Sequence, residues 1–313
     1  MTRLLTALGY ALLFAAFGAG AATCMMFTLP RHPAPHLVIV LSSYCFVAAL
    51  SLWALALSFG LLPGARHVPQ APARMGLGLG IWAMAGFALT MAASGLFLTC
   101  TLAALLTLRH PDIKPALSSP DFLISVVLAG EFTVALWLAR NLGRLPPAVR
   151  HDSGAAGLAW CPAAPRAYAE AAAMALAVLG VVALLYKIFP PDMSAIQDLP
   201  IAQLFAGPPV VMAAMLVVAV LFGPVLEELA FRGLGFAGVA AGLGPVWATA
   251  LTSLAFMAAH ATEKMHYLPG FIDVGLLAVG ACVLRLRHGS LRPGMLLHIL
   301  YNGGGLVVAA LLH

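Results

Sequence analysis

The sequence predicts an all-α fold, a polytopic transmembrane helix bundle of about eight to nine spans. Three observations predict it. Hydrophobic residues form 62% of the 313-residue chain and charged residues 9%, against roughly 45–50% and 25% in a soluble domain. Mean hydropathy is +1.00, so most of the surface must meet lipid rather than water. Apolar runs near the ~20 residues of a membrane span recur along the chain, separated by Pro and Gly turn signals.

In chain order the apolar runs are Leu4–Phe27, His36–Leu62, Leu77–Leu106, Phe122–Ala139, Tyr168–Phe189, Pro209–Phe231, Val246–His260, Phe271–Leu286 and Leu291–Leu312. The first is longer than the ~7–15 residues of a signal-peptide core and reads as a retained helix. The seventh and eighth are short and carry polar residues, so either can be a broken or buried helix. Boundaries fall at Pro30, Pro63-Gly64, Pro115, Pro146-Pro147, Pro190-Pro191 and Pro269-Gly270. The longest polar loop, Arg140–Arg166, is the expected seam between an N-terminal helix set (1–150) and a C-terminal unit (151–313).

The basic balance, pI near 9.1, comes from Lys and Arg scattered singly through loops. No basic block tracks a phosphate backbone, so nucleic acid is not an expected partner. The same cations carry a topology signal. With the N-terminus inside, the inner segments hold Arg3, Arg66, Arg74, Arg140, Arg144, Arg150, Arg166, Arg285, Arg287 and Arg292, and the outer loops only Arg31, Arg109, Lys114, Lys187 and Lys264. The positive-inside bias thus places the N-terminus in the cytoplasm. Five cysteines stand far apart with no CxxC pair, which indicates neither a zinc knuckle nor a disulfide framework. The Ala-, Gly- and Arg-rich composition fits the plasma membrane of a prokaryote.

Ionisable residues inside spans cost ~2.5–3.5 kcal/mol on insertion scales and point to function by default. Glu131 and Glu170 in the earlier spans can snorkel or bond neighbouring helices. The C-terminal third is richer. The sixth span closes on Glu227-Glu228-Leu229-Ala230-Phe231-Arg232. Adjacent helical positions diverge by ~100°, so the two carboxylates cannot share one role. Glu228 and Arg232 are i,i+4 and can pair, which leaves Glu227 free to face a polar cavity. The seventh span ends Phe256-Met257-Ala258-Ala259-His260, and the ninth holds His298-Ile299-Leu300-Tyr301-Asn302, with His298 and Asn302 on one face. Each alone reads as an interfacial or interhelical polar group; three helices offering such groups suggest one shared, water-containing cavity. Glu263, Lys264 and His266 read as a solvated loop. Asp273 suits the N-terminal dipole of the eighth span.

Glu227-Glu228-xxx-Arg232, Phe256-xxx-His260 and His298-xxx-Asn302 resemble, in order and spacing, the three motifs of the CAAX-protease and bacteriocin-processing (CPBP, or ABI) family of CAAX prenyl endopeptidases and their relatives. The stretch Arg287–Gly294 is similar to that family's lead-in to its third motif. The resemblance covers residues from about Met212 to Leu312. It implies an intramembrane endopeptidase in which Glu227 and His260 hold the attacking water, His298 and Asn302 stabilise the oxyanion, and Glu228 with Arg232 fixes the geometry. A carboxylate in a low-dielectric cavity is a stronger base than one in water, which suits that chemistry. The implied substrate is a peptide or protein in the bilayer, prenylated or otherwise membrane-bound, and no cofactor is required. Two alternatives stay open: Glu227, His260 and His298 as a two-His, one-carboxylate zinc set, and a non-enzymatic transporter or binding protein with polar groups at midplane.

Overall fold

The computed structural model describes residues 75–109, 120–192, 207–265 and 267–311. The expected spans Leu4–Phe27 and His36–Leu62 lie outside the described residues. Every regular element within them is helical: α1 (Leu77–Arg109), α2 (Pro120–Arg144), the single turn α3 (Pro147–Arg150), α4 (Pro165–Ile188), α5 (Pro209–Leu243), α6 (Pro245–Ala259), the turn α7 (Ala261–Lys264), α8 (Gly270–His288) and α9 (Arg292–Leu311). Among the described residues, Leu123–Arg144, Pro165–Ile188 and Pro209–Leu243 are long and apolar enough to cross a membrane. The eight-to-nine count is therefore not reached there. α6 is too short, and α8 carries Asp273, Arg285 and Arg287. The described part of the chain is all-helical, and its apolar helices mark an integral membrane protein.

Contacts divide it into two compact units, one drawing on residues 86–137 and the other on 75–85 with 138–311. In the first, Trp137 is 1% exposed and its ring lies against Gly86, while Glu131 is buried. The second unit contains every candidate motif. There α8 touches α4, α6 and α9, and α9 runs along α4. Lipid gives no hydrophobic drive between helices, so small residues that admit close packing do the joining. α4 buries Ala167, Ala171, Ala175, Val178 and Val182 in one stripe. A Cβ on Gly304 of α9 would stand 2.4 Å from Leu179. The start of α1 joins this unit for the same reason. A Cβ on Gly238 of α5 would lie 2.4 Å from the Gly80 nitrogen, so the two backbones touch.

The sixth span differs from expectation. Instead of ending near Phe231 it continues to Leu243, with Glu227 and Glu228 in mid-helix, and it is twice widened into π geometry, at Val218–Phe222 and Glu228–Gly235. Pro224 accounts for the first. It has no N–H and its ring clashes with the preceding turn; the Gly223 N–H bonds the Val218 carbonyl five residues back, which opens the turn enough to pass the proline. Such π segments concentrate at functional sites.

The Arg140–Arg166 stretch is a docked segment rather than a free polar loop. Leu145, Leu158 and Ala159 are buried in it. Arg285, 1% exposed, lies over the Phe236 ring at 4.3 Å and donates to the Gly157 carbonyl at 2.5 Å and to Ala155 at 3.4 Å. The Ser290 hydroxyl donates to the Cys161 carbonyl at 2.6 Å and the Leu291 N–H to Ala159 at 3.0 Å. Loop carbonyls taken out of water need such donors. Arg285→Met is expected to destabilise the protein by roughly 1–3 kcal/mol, the cost of leaving buried groups unpaired, and to admit protease between residues 151 and 161, read by limited proteolysis in detergent. Glu170 is paired with Arg287 and, at 2.9 Å, with His288, so its interhelical reading holds.

Candidate functional site

The second π segment starts at Glu228, and the two neighbouring carboxylates diverge as helical geometry requires. Glu228 is fully buried, whereas the Glu227 side chain keeps 20% of its exposure. Glu228 Oε1 lies 3.1 Å from Arg232 Nη1 and 3.1 Å from His298 Nδ1, and its other oxygen packs against Gly294. Arg232 is itself fully buried, with its Cζ 4.1 Å above the centroid of the Phe256 ring. A guanidinium suits this place because it is planar, weakly hydrated and stacks on aromatic faces. The buried pair thereby leaves Glu227 without a cationic partner of its own kind. What Glu227 faces is His298, whose Nε2 is 3.6 Å from its Oε2. That separation exceeds a direct hydrogen bond.

The histidines are oriented by what their Nδ1 atoms meet. His298 Nδ1 donates to the Glu228 carboxylate, so in the neutral ring Nε2 carries the lone pair toward Glu227. His260 follows the last residue of α6, where carbonyls lose their helical donors. Its Nδ1 donates to the Phe256 carbonyl at 2.9 Å, which leaves Nε2 as the free acceptor. The Phe256 ring joins the three motifs: it lies 4.5 Å from the His260 ring, 5.6 Å from His298 and 5.3 Å from Phe231. The sequence marked Phe256 only as a motif letter; its role as the shared platform is a tertiary fact.

Asn302 differs from expectation in its immediate partner. Its amide donates to the Ala219 carbonyl at 2.7 Å. Gly223 bonds elsewhere and Pro224 has no N–H to give, so Ala219 lacks a donor from its own helix. Asn302 thus fastens α9 to the first π segment and sets the height of His298, one turn before it. Asn302→Leu is expected to cost about 1–3 kcal/mol through the unpaired carbonyl, seen as a lowered unfolding temperature. Lys264 also departs from the solvated reading: it is 24% exposed and stands 3.7 Å from Asp273. Glu263 is exposed as expected, and His266 lies outside the described residues. Among the described residues no three His, Cys, Asp or Glu side chains are arranged as a metal-ligand group.

Residues 209–304 match the family described as Type II CAAX prenyl endopeptidase Rce1-like. No curated protein and no solved structure gives a match. The matched residues hold all three motifs, and those motifs meet around one phenylalanine ring; over this segment the chain is similar to the Type II CAAX prenyl endopeptidases.

Proposed function

We propose that the chain is an intramembrane endopeptidase that hydrolyses a peptide bond near the C-terminus of a membrane-bound or prenylated substrate, with Glu227 as the general base. The observation that carries this reading is the division between the two carboxylates. Glu228 is neutralised by Arg232 and spent on His298, whereas Glu227 stays partly open with an imidazole nitrogen 3.6 Å away. Water held by Glu227 and the free His260 Nε2 gives its proton to Glu227 as its oxygen adds to the scissile carbonyl carbon. The C–N bond then breaks, and the proton passes to the leaving amine. His298, entering the step with a solvent-derived proton on Nε2 that it keeps throughout, donates a hydrogen bond toward the oxyanion, a contact commonly worth ~2.7–4 kcal/mol. Asn302 contributes by holding α9.

The test uses the full chain in liposomes, with a prenylated peptide and an unprenylated transmembrane peptide as substrates. Wild type should cleave at least one of them, and His260→Ala should lower the rate by about 10²-fold or more without loss of folded protein. Chelation should leave the wild-type rate unchanged. Chelator-abolished cleavage restored by zinc would replace this mechanism with the metal one, and solute flux without any cleavage product would replace the enzyme with a transporter. The arginine distribution supports a cytoplasmic N-terminus, and the composition supports a prokaryotic plasma membrane; labelling of single cysteines placed at Arg3 and Arg31 from either side checks the first.

A further inference from the structure

The turn that carries His260 ends on a cation whose partner lies elsewhere in the fold. Lys264, four residues on, crosses Gly270 so closely that a Cβ there would lie 2.9 Å from the lysine Cδ. Its ammonium reaches Asp273, 3.7 Å away and 4% exposed, in the first turn of α8. The same carboxylate accepts the Val274 N–H at 2.6 Å and interacts electrostatically with the Tyr301 hydroxyl. Tyr301 stands on α9 between His298 and Asn302. One buried acid therefore joins the segment behind His260 to the helix that bears His298. The far end of the turn is fixed independently, by Tyr267 donating to the Phe189 carbonyl at 2.8 Å and packing edge-on against Tyr186 at 5.4 Å.

We infer that Asp273 is a positioning residue: through Lys264 and Tyr301 it sets the separation of His260 from His298 and so the place of the water that His260 holds with Glu227. A carboxylate suits the task, because it can interact with an ammonium, a phenol and an amide at once. A helix N-terminus in addition favours its charge. A purely capping role needs only Val274; the two long-range partners do not belong to it. The idea rests on the proposed reaction, so its test has one arm that needs no catalysis.

In the catalytic arm, Asp273→Asn, Lys264→Met and Tyr301→Phe are assayed in liposomes. The expected result for Asp273→Asn is a kcat lowered about 10- to 100-fold, as follows from displacing a catalytic group by an ångström, with KM within about twofold. Asp273→Glu should recover part of that loss, and Lys264→Met combined with Asp273→Asn should be no worse than the latter alone. In the second arm, backbone hydrogen exchange of residues 260–268 is compared between wild type and Asp273→Asn. Exchange should quicken there and stay unchanged in α4. Unchanged exchange and unchanged kcat overturn the inference, as does a loss confined to KM. Faster exchange in a protein that cleaves neither peptide sinks the proposed reaction but leaves the latch standing.

Discussion

Glu227→Gln is expected to lower peptide cleavage by roughly 10²–10⁴-fold, the range for losing a general base, while the protein remains folded. The amide keeps the size and most hydrogen-bonding capacity of the carboxylate but cannot accept a proton from water. Because Glu227 is the partly exposed member of the pair and has no ion pair with Arg232, its neutralisation leaves no buried charge unmatched. Activity and stability should therefore separate at this position. The rate is measured as product formed per folded molecule, with unfolding followed by tryptophan fluorescence in detergent. A Glu227→Gln protein that cleaves at the wild-type rate would remove the base from the mechanism, whatever the fold.

The reverse separation is expected one turn along the same helix. Arg232→Met should destabilise the protein by about 3–5 kcal/mol, because deleting one partner of a buried ion pair strands the other charge. Glu228 is fully buried, and Arg232 is the cation beside it. The loss of the guanidinium over Phe256 adds to this, since that ring also carries His260 and His298. Arg232→Lys should recover only part, as an ammonium is a compact, strongly hydrated charge that neither stacks nor spreads over the ring. Removing both charges in Glu228→Gln with Arg232→Met should be milder than Arg232→Met alone. The measurement is the unfolding midpoint of each purified variant. Equal midpoints for Arg232→Met and wild type would show the pair to be energetically idle.

Much of the site was legible before any fold was known, because the relevant pairs are local. Glu228 and Arg232 are four apart, as are Phe256 and His260, and a helix brings such positions to one face whatever surrounds it. The divergence of Glu227 from Glu228 follows from the same rotation. The apolar runs from Leu77 to Leu312 foretold the helices, with boundaries displaced by a few residues. The exception is the sixth, which continues beyond Arg232 to Leu243. The Glu-Glu pair and the arginine look like a helix terminus on a hydropathy scale. Glu228 and Arg232 are instead buried in mid-helix, because α6 and α9 supply Phe256 and His298 to receive them, while Glu227 stays partly open.

Composition settled the solvent and the helical class, since too few charges exist to cover a surface in water and a lone helix satisfies its own backbone in lipid. Motif order gave the resemblance that the family model then matched over residues 209–304. Both depend only on which residues are present and how far apart they stand in sequence. Other roles had to await the fold. Asn302 came to serve the Ala219 carbonyl, Lys264 to leave the solvent for Asp273, and the 151–161 segment to dock on Arg285. Each joins residues separated by 9 to 130 positions. No periodicity encodes such contacts, because their geometry is fixed by helix crossings that small residues such as Gly80, Gly238 and Gly304 permit.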